Sequence, residues 1–360
     1  MEKKQKFGKH IHLVGIGGTG LSAIARVLLG RGFKVTGSDQ ALTQRTADLY
    51  AAGAVVYKGH KASNIRGAQL LVVSSAIPPD NPEVAAARTA GIPVLKREDF
   101  LGSLMTKQVG IAIAGTHGKT TTAGMIAHIF MEAGLDPSFI VGDDLPSLAT
   151  NGRAGQGTHF IIEADEYDRM FLGLRPKIGV ITNVEYDHPD IYASRDDYVQ
   201  AFEEFARGLP AGGRLVVCAE DATAVQLLKA NDQVQNYAYG IGFPITPMPG
   251  LELVLAPDPR PNKEGGMTFV VEKNLEPLGE IVLTIPGEHN VNNALAAVCV
   301  ALGEDIPFAT IAAALHSFTG MKRRFDILGR VGGITIVDDY AHHPTEIEAT
   351  LAAARLRYGP

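Results

Sequence analysis

The 360-residue chain carries 33 Lys and Arg against 39 Asp and Glu, a formal net charge of −6, and 46% of its residues are hydrophobic. At roughly 100–200 residues per domain, this length and apolar content fill two or three cores, while the lack of a dense basic run beyond the short start Met-Glu-Lys-Lys-Gln-Lys excludes a nucleic-acid footprint. No stretch of about 18 apolar residues and no apolar leader core occur, so a membrane partner is not expected and the chain reads as a soluble cytoplasmic protein.

The first predicted strand is His10 to Val14, followed by Gly15-Ile16-Gly17-Gly18-Thr19-Gly20 and a helix pattern through Leu21, Ile24, Ala25, Val27 and Leu28. This is G-x-G-x-x-G between a strand and a helix, which lets a phosphate-bearing nucleotide approach the backbone closely. Nineteen residues beyond Gly20, after the strand Phe33 to Thr36, stands Asp39, where a dinucleotide-binding fold holds a ribose. On its own the motif is weak. Further strands at Ala54 to Tyr57 and Gln69 to Ser74 end in Gly59-His60 and in Ser74-Ser75-Ala76-Ile77-Pro78. Strand carboxyl ends are where open α/β sheets bind ligands, so His60, Ser74 and Ser75 are candidates beside the glycine turn. Ile92 to Leu95 is one more strand, and Lys96 to Lys107 carries the chain into a second domain.

Ile111-Ala112-Ile113-Ala114-Gly115-Thr116-His117-Gly118-Lys119-Thr120-Thr121-Thr122 is the most informative segment: an apolar strand, a glycine turn, then lysine and hydroxyls opening a helix. Small residues let N–H groups close around phosphate oxygens, Lys119 adds a compact positive charge, and Thr120 or Thr121 offers a hydroxyl to Mg²⁺. It is a shortened phosphate loop, because the glycine that the longer pattern places at 113 is Ile113. The strands His159 to Ile162 and Ile178 to Thr182 end in Glu163-Ala164-Asp165-Glu166-Tyr167-Asp168 and in Asn183-Val184-Glu185-Tyr186-Asp187-His188. If the sheet is parallel, all three polar ends face one crevice, and carboxylates beside a polyphosphate call for a divalent metal. One or two of the four acids in 163–168 are expected as metal ligands, the others as a solvated loop and helix cap.

A helix through Tyr198, Phe202, Phe205 and Leu209 and the strand Arg214 to Cys218 continue the α/β pattern. From about Asn236 to Leu283 short strands and turns suggest a small antiparallel β insertion. Glu288-His289-Asn290-Val291-Asn292-Asn293 then opens an alanine-rich helix, where asparagines are usually caps. Cys218 and Cys299 lie in apolar runs without ligand partners and read as small buried hydrophobes.

Taken together, these motifs resemble the Mur ligase family. The resemblance spans essentially all 360 residues and adds Lys322-Arg323-Arg324-Phe325 and Asp338-Asp339-Tyr340-Ala341-His342-His343-Pro344. It implies an α/β fold: a UDP-sugar-binding Rossmann-like parallel sheet domain at 1–106, a central P-loop ATPase-like domain at 107–325, and the start of an incomplete Rossmann-like C-terminal domain at 326–360. It also explains two nucleotide motifs in one chain. Gly15, Gly17, Gly18, Gly20, Asp39, His60, Ser74 and Ser75 would hold the UDP-sugar. Gly115, Thr116, His117, Gly118, Lys119, Thr120 and Thr121 would hold ATP phosphates. Thr120 and Glu163 would bind one Mg²⁺ and His188 a second. Asn290 and Asn293 would bond adenine, which competes with the capping reading, and Arg324 and Asp339 would reach the nucleotide from the hinge. Lys119, Glu163 and His188 are the implied catalytic set. The implied reaction joins L-alanine to the carboxylate of UDP-N-acetylmuramate through an acyl phosphate in peptidoglycan precursor synthesis, by a monomer or homodimer.

Two departures keep alternatives open. Glu166-Tyr167-Asp168 stands where alanine-adding members commonly read Glu-Ser-Asp, a version familiar from the member that recycles an intact tripeptide onto UDP-N-acetylmuramate. The family also ends in a whole third domain, whereas only residues 326–360 follow Phe325. The expectation is that this polypeptide alone binds UDP-sugar and ligates poorly or not at all, which leaves a non-catalytic UDP-sugar-binding module as a further reading. A nicotinamide-dependent oxidoreductase using Gly15 to Gly20 and Asp39 would leave Lys119, Glu163 and His188 unexplained.

Overall fold

The computed structural model describes residues 8–242, 245 and 249–359. The basic start at residues 1–6 lies outside them. The N-terminal sheet is parallel and five-stranded, in the spatial order Val55–Lys58, Lys34–Asp39, His10–Val14, Leu70–Val73, Val94–Lys96. All five residues of His10–Val14 are buried, because helices cover both faces of a parallel sheet. The strand order reverses between His10–Val14 and Leu70–Val73, which opens a crevice at their carboxyl ends. Register brings Val14 level with Ser38 on one side and Val73 on the other, so Gly15, Asp39 and Ser74 emerge side by side.

The central sheet has eleven strands. Val109–Ala114 lies between Ile178–Ile181 and His159–Glu163, parallel to both, which is the arrangement expected of the three polar strand ends. The antiparallel part is shorter than the sequence suggests. Gln235–Ile241 and Leu251–Ala256 pair in parallel and extend the main sheet, and reversal begins only with Arg260–Pro261, Met267–Lys273 and Glu276–Val282. On one face, the helices Lys119–Glu132 and Glu288–Gly303 bury Ile126, Phe130, Leu295 and Val298 against Ile111 and Ile113. Cys299 is buried in the same core, and Cys218 is buried too; burial pushes the Cys218 thiol up to about 12, which fits a hydrophobe rather than a nucleophile.

A second core runs across both sheets and contains Ile24, Leu28, Phe100, Phe160, Phe171 and Phe202. Phe100 belongs to the helix Arg97–Met105, so the segment joining the two sheets is itself a packing element. Two strands that the sequence reading passed over, Ser138–Leu145 and Thr150–Arg153, form the edge on which the helix Thr19–Gly30 rests. Arg26 donates to Thr150 Oγ1 at 3.0 Å and to Asn151 Oδ1 at 3.1 Å, and Asn151 Nδ2 donates to the Thr19 carbonyl at 3.1 Å. The chain continues into the hairpin Asp326–Val331 and Ile334–Asp338, turned by Gly332 and Gly333 at φ 57° and 80°, and into the helix Pro344–Tyr358. Among the described residues no helix is long and apolar enough to cross a membrane.

The helix-on-edge contact is tight at one point. A Cβ on Gly152 would sit 2.5 Å from the Ala23 carbonyl oxygen and 2.7 Å from Ala23 Cα. Gly152→Ala is therefore expected to destabilise the protein by roughly 1–3 kcal/mol through backbone displacement. Gly329→Ala, where an added methyl meets nothing within 4 Å, should stay within about 0.5 kcal/mol of the parent in a denaturant melt. Equal midpoints for the two variants would show that the helix does not rest on this edge.

Candidate active site

The turn after Val109–Ala114 is shaped by two glycines that no other residue replaces without strain. Gly115 has φ 128° and lies against Thr182, and Gly118 has φ 81° and lies against the Asn293 side chain. The loop is clamped from the neighbouring strand end: Asn183 Oδ1 accepts the His117 N–H at 2.8 Å, and Thr182 Oγ1 donates to the His117 carbonyl at 2.6 Å. Lys119 reaches back over the loop, donating to the Gly115 carbonyl at 2.5 Å and the Thr116 carbonyl at 3.0 Å, and pairs with Glu166 Oε2 at 2.9 Å. Burial works against the Lys119 charge, but Glu166, Asp165 and Glu163 outweigh it and hold the ammonium above its usual range.

The acid run separates into distinct roles. Glu163 Oε2 accepts the Thr120 hydroxyl at 2.9 Å and the Gly142 N–H at 2.7 Å, and burial pushes its carboxyl up despite Lys119 and Thr120. Glu166 is only 1% exposed; burial opposes its charge, yet Lys119 and His188 hold it below the usual carboxylate range. Asp165 pairs with Arg97 at 3.3 Å, and Asp168 with Lys96 at 3.4 Å. His188 sits at φ 54° with Nε2 3.7 Å from Glu166 Oε1; that contact raises its imidazole, burial opposes, and Asp187 adds to the rise. Thr120, Glu163, Asp165, Glu166, Asp187 and His188 line one cavity of about 330 Å³ beside Lys119. The lysine–threonine turn therefore opens onto space.

A larger cavity of about 630 Å³ adjoins the other side of the loop and is lined by His117, Thr121, Asn290, Asn293, Arg324 and Asp339. The asparagines are not caps. The helix Glu288–Gly303 is preceded by Gly287 with no side-chain cap, Asn290 Nδ2 donates to the Pro286 carbonyl at 2.7 Å, and Asn293 Oδ1 accepts the Thr122 hydroxyl at 3.1 Å. Arg324 Nη2 donates to Thr120 Oγ1 at 3.4 Å, and its buried Nε has no partner among the described residues. Asp339 accepts the N–H groups of Phe325 and Ala341, each at 2.8 Å, so it shapes the turn that carries Arg324.

The N-terminal candidates also converge. The Gly15 N–H donates to the Ser38 carbonyl at 2.8 Å, and the Gly17 N–H donates to Asp39 Oδ2 at 2.9 Å, so Asp39 closes over the glycine turn itself. Ser74 lies against Gly15, Ser75 is exposed beside it, and His60 Nδ1 is 2.9 Å from Ser38 Oγ. Gly18 lies within the turn, and Gly20 abuts Arg97 so closely that a Cβ has no room. Arg97 thus touches the first glycine turn and, through Asp165, the acid run of the second.

Sequence reasoning missed Glu83. Fully buried, it accepts from Ser38 Oγ at 2.5 Å and Asn64 Nδ2 at 2.6 Å, and stands 3.4 Å from His60 and 3.5 Å from His12. Burial raises it, but His12, Ser38 and Asn64 hold its carboxyl down at about 2. The signal available was an acid at the start of the helix Pro82–Thr89, which reads as ordinary helix chemistry. Glu185, read only as part of a polar strand end, and Glu346, not read, bracket His117 at 2.8 and 3.1 Å, a pairing that exists only in the fold.

Three family models match the chain: "Mur ligase family, catalytic domain" at residues 10–108, "Mur ligase middle domain" at 113–301 and "Mur ligase, glutamate ligase domain" at 323–359. A UDP-N-acetylmuramate–L-alanine ligase of Cupriavidus necator is 46% identical over 96% of this chain and 73% of its own length. One from Geotalea daltonii is 44% identical over 97% and 75%. Among solved structures, the UDP-N-acetylmuramate-alanine ligase of Thermotoga maritima is similar with a TM-score of 0.82 and 31% identity, covering 98% of this chain and 78% of that one. A murein peptide ligase from Psychrobacter arcticus follows with 0.81 and 27%, covering 97% and 76%. The three family models and the identity to these relatives along nearly all of the sequence lead to one conclusion: the chain belongs to the Mur ligase family.

Proposed function

We propose that the protein is an ATP-dependent ligase that joins L-alanine to the carboxylate of UDP-N-acetylmuramate. The observation that carries this reading is the pair of anion cradles, one at each glycine turn, linked by Arg97 between Gly20 and Asp165. The division of labour follows units at 1–106 for the sugar nucleotide, 107–325 for ATP and 326–360 for the segment that closes on it. The relatives at 44–46% identity named as alanine ligases support the amino-acid choice.

In this reading the substrate carboxylate attacks the γ-phosphate of ATP, because a carboxylate is a poor acyl donor and a phosphate is a good leaving group. The L-alanine amine then displaces phosphate, leaving an amide, ADP and phosphate. Lys119 gives up its contacts with the loop carbonyls to meet phosphate oxygens, and Glu166 keeps the ammonium protonated while it waits. The Arg324 guanidinium, whose Nε has no partner among the described residues, supplies a second cation on the other side of Thr120. Gly115 to Thr121 wrap the phosphates, and Asn290, Asn293 and Asp339 border the larger cavity where the adenosine fits. Mg²⁺ fits the donor set: a hydroxyl and a carboxylate already 2.9 Å apart at Thr120 and Glu163, with the His188 imidazole on the same cavity. When bound, it offsets the charge that develops as two anions meet.

A second reading rests on Glu166-Tyr167-Asp168. Tyr167 donates to Asp190 Oδ2 at 3.1 Å and packs edge-on against His188 at 5.2 Å, and the murein peptide ligase has nearly the same fold. A substrate comparison separates the two. ADP release with UDP-N-acetylmuramate should be fastest with L-alanine, ahead of L-serine, glycine and the tripeptide. Preference for the tripeptide would establish the recycling reading.

Lys119→Ala should lower phosphoryl transfer by about 10²–10³-fold or more while changing UDP-sugar affinity little. Calorimetry of UDP-N-acetylmuramate binding beside the ADP assay checks this. Equal loss of both would mean that the two sites are wrongly divided.

A further inference from the structure

Three side chains outside the acid cavity gather on the far side of the phosphate loop: His117 from the loop, Glu185 from the segment after Ile178–Ile181, and His343 from the start of the helix Pro344–Tyr358. Their ligand atoms all lie within 4.8 Å of one another. His117 Nε2 is 2.8 Å from Glu185 Oε2, which is 3.9 Å from His343 Nδ1, and the two imidazole rings stand 4.7 Å apart. We propose that His117, Glu185 and His343 form a binding site for one divalent transition-metal ion of the zinc class, distinct from the Mg²⁺-type oxygen donors at Thr120 and Glu163.

The geometry is close to what such an ion needs. Nitrogen and oxygen ligands at about 2.0–2.1 Å in a tetrahedron stand roughly 3.3 Å apart, so the His117–Glu185 pair must open, and the Glu185–His343 pair must close, by about half an ångström. The donor types favour zinc over magnesium, since two of the three are imidazoles, borderline ligands that suit zinc, while Mg²⁺ seeks a shell of oxygen. The outer shell is also built. His117 Nδ1 lies 3.1 Å from Glu346 Oε1, the carboxylate–histidine arrangement that orients metal-bound imidazoles, and Thr345 Oγ1 donates to Glu185 Oε1 at 2.9 Å. All three ligands are half-buried, and His117 and Glu185 line the larger cavity, so the site is reachable and three protein ligands leave a fourth position for water.

One contact competes. His343 Nδ1 accepts the Thr345 N–H at 3.3 Å as a helix cap, and an ion would take that lone pair. The helix keeps Glu346, whose Oε2 accepts the N–H groups of His342 and His343 at 3.1 and 3.4 Å. Occupancy would tie the loop bearing Lys119 to the chain beyond Asp338, joining three segments that are otherwise held by hydrogen bonds.

The test titrates the metal-free, tag-free 360-residue chain with Co²⁺ in the presence of excess Mg²⁺, reading visible ligand-field absorption, followed by displacement with Zn²⁺. The expected result is one equivalent of Co²⁺ with the intense band of a four-coordinate site, bleached by one equivalent of Zn²⁺. His343→Ala and Glu185→Gln should each abolish the band, Glu346→Gln should weaken binding about 10–100-fold, and His188→Ala should leave it unchanged. Glu185→Gln preserves shape and the Thr345 contact, so it decides the matter if His343→Ala unfolds the helix. Absence of a stoichiometric band, its survival in Glu185→Gln, or its loss in His188→Ala would each overturn the proposal. The result does not depend on the ligase reading, because no substrate is present.

Discussion

A carboxylate 1% exposed stays ionised only beside a fixed cation, and the pairing of Glu166 with Lys119 is the constraint on which this site is built. With that pairing the lysine lies back over its own loop, donating to the carbonyls of Gly115 and Thr116, in a turn where Gly115 and Gly118 hold positive φ. It also places a protonated ammonium within reach of incoming anions without solvating it. Removing one partner would strand the other, at a cost of about 3–5 kcal/mol, so the arrangement is a matter of stability as well as chemistry. In the proposed function, a phosphate arriving at the loop would replace carbonyl contacts with charge-assisted ones while Glu166 stays paired.

The pair exists because three parallel strands end at one level. Ile113 stands opposite Glu163 on one side and Val180 on the other, so the loop, the acid run and the segment leading to His188 start from neighbouring positions. The N-terminal sheet repeats the device with Gly15, Asp39 and Ser74. The two halves are then locked in relation to one another by a shared core through Phe100 and Phe160 and by the seat of the helix Thr19–Gly30 on Thr150–Arg153. Arg97, at the first position of the linking helix, stands where both cradles meet.

Much of this was legible in the chain. The strand–glycine–helix patterns at 10–30 and 109–132 carry local signals strong enough to name the elements, and polar residues at apolar strand ends identified the crevice. What escaped were features defined only by tertiary contact. Ser138–Leu145 contains Gly142-Asp143-Asp144, which looks like a turn, yet the N–H of Gly142 holds Glu163 and Asp143 pairs with Arg323. Gln235–Ile241 and Leu251–Ala256 are joined by a short connection that suggests a hairpin, whereas the sheet takes both in parallel. Asn290 and Asn293 have cap chemistry, but a helix started by Gly287 frees them to bond across to Pro286 and Thr122. Glu83, Glu185 and Glu346 owe their roles to partners between 19 and 229 residues away, beyond any local pattern.

The account stands on two separate cradles that are filled at the same time. Equilibrium binding of UDP-N-acetylmuramate and a non-hydrolysable ATP analogue, each titrated in the absence and presence of saturating amounts of the other, measures this directly. The account predicts one equivalent of each, with neither displacing the other. Mutually exclusive binding, with either ligand expelling its counterpart, would contradict it.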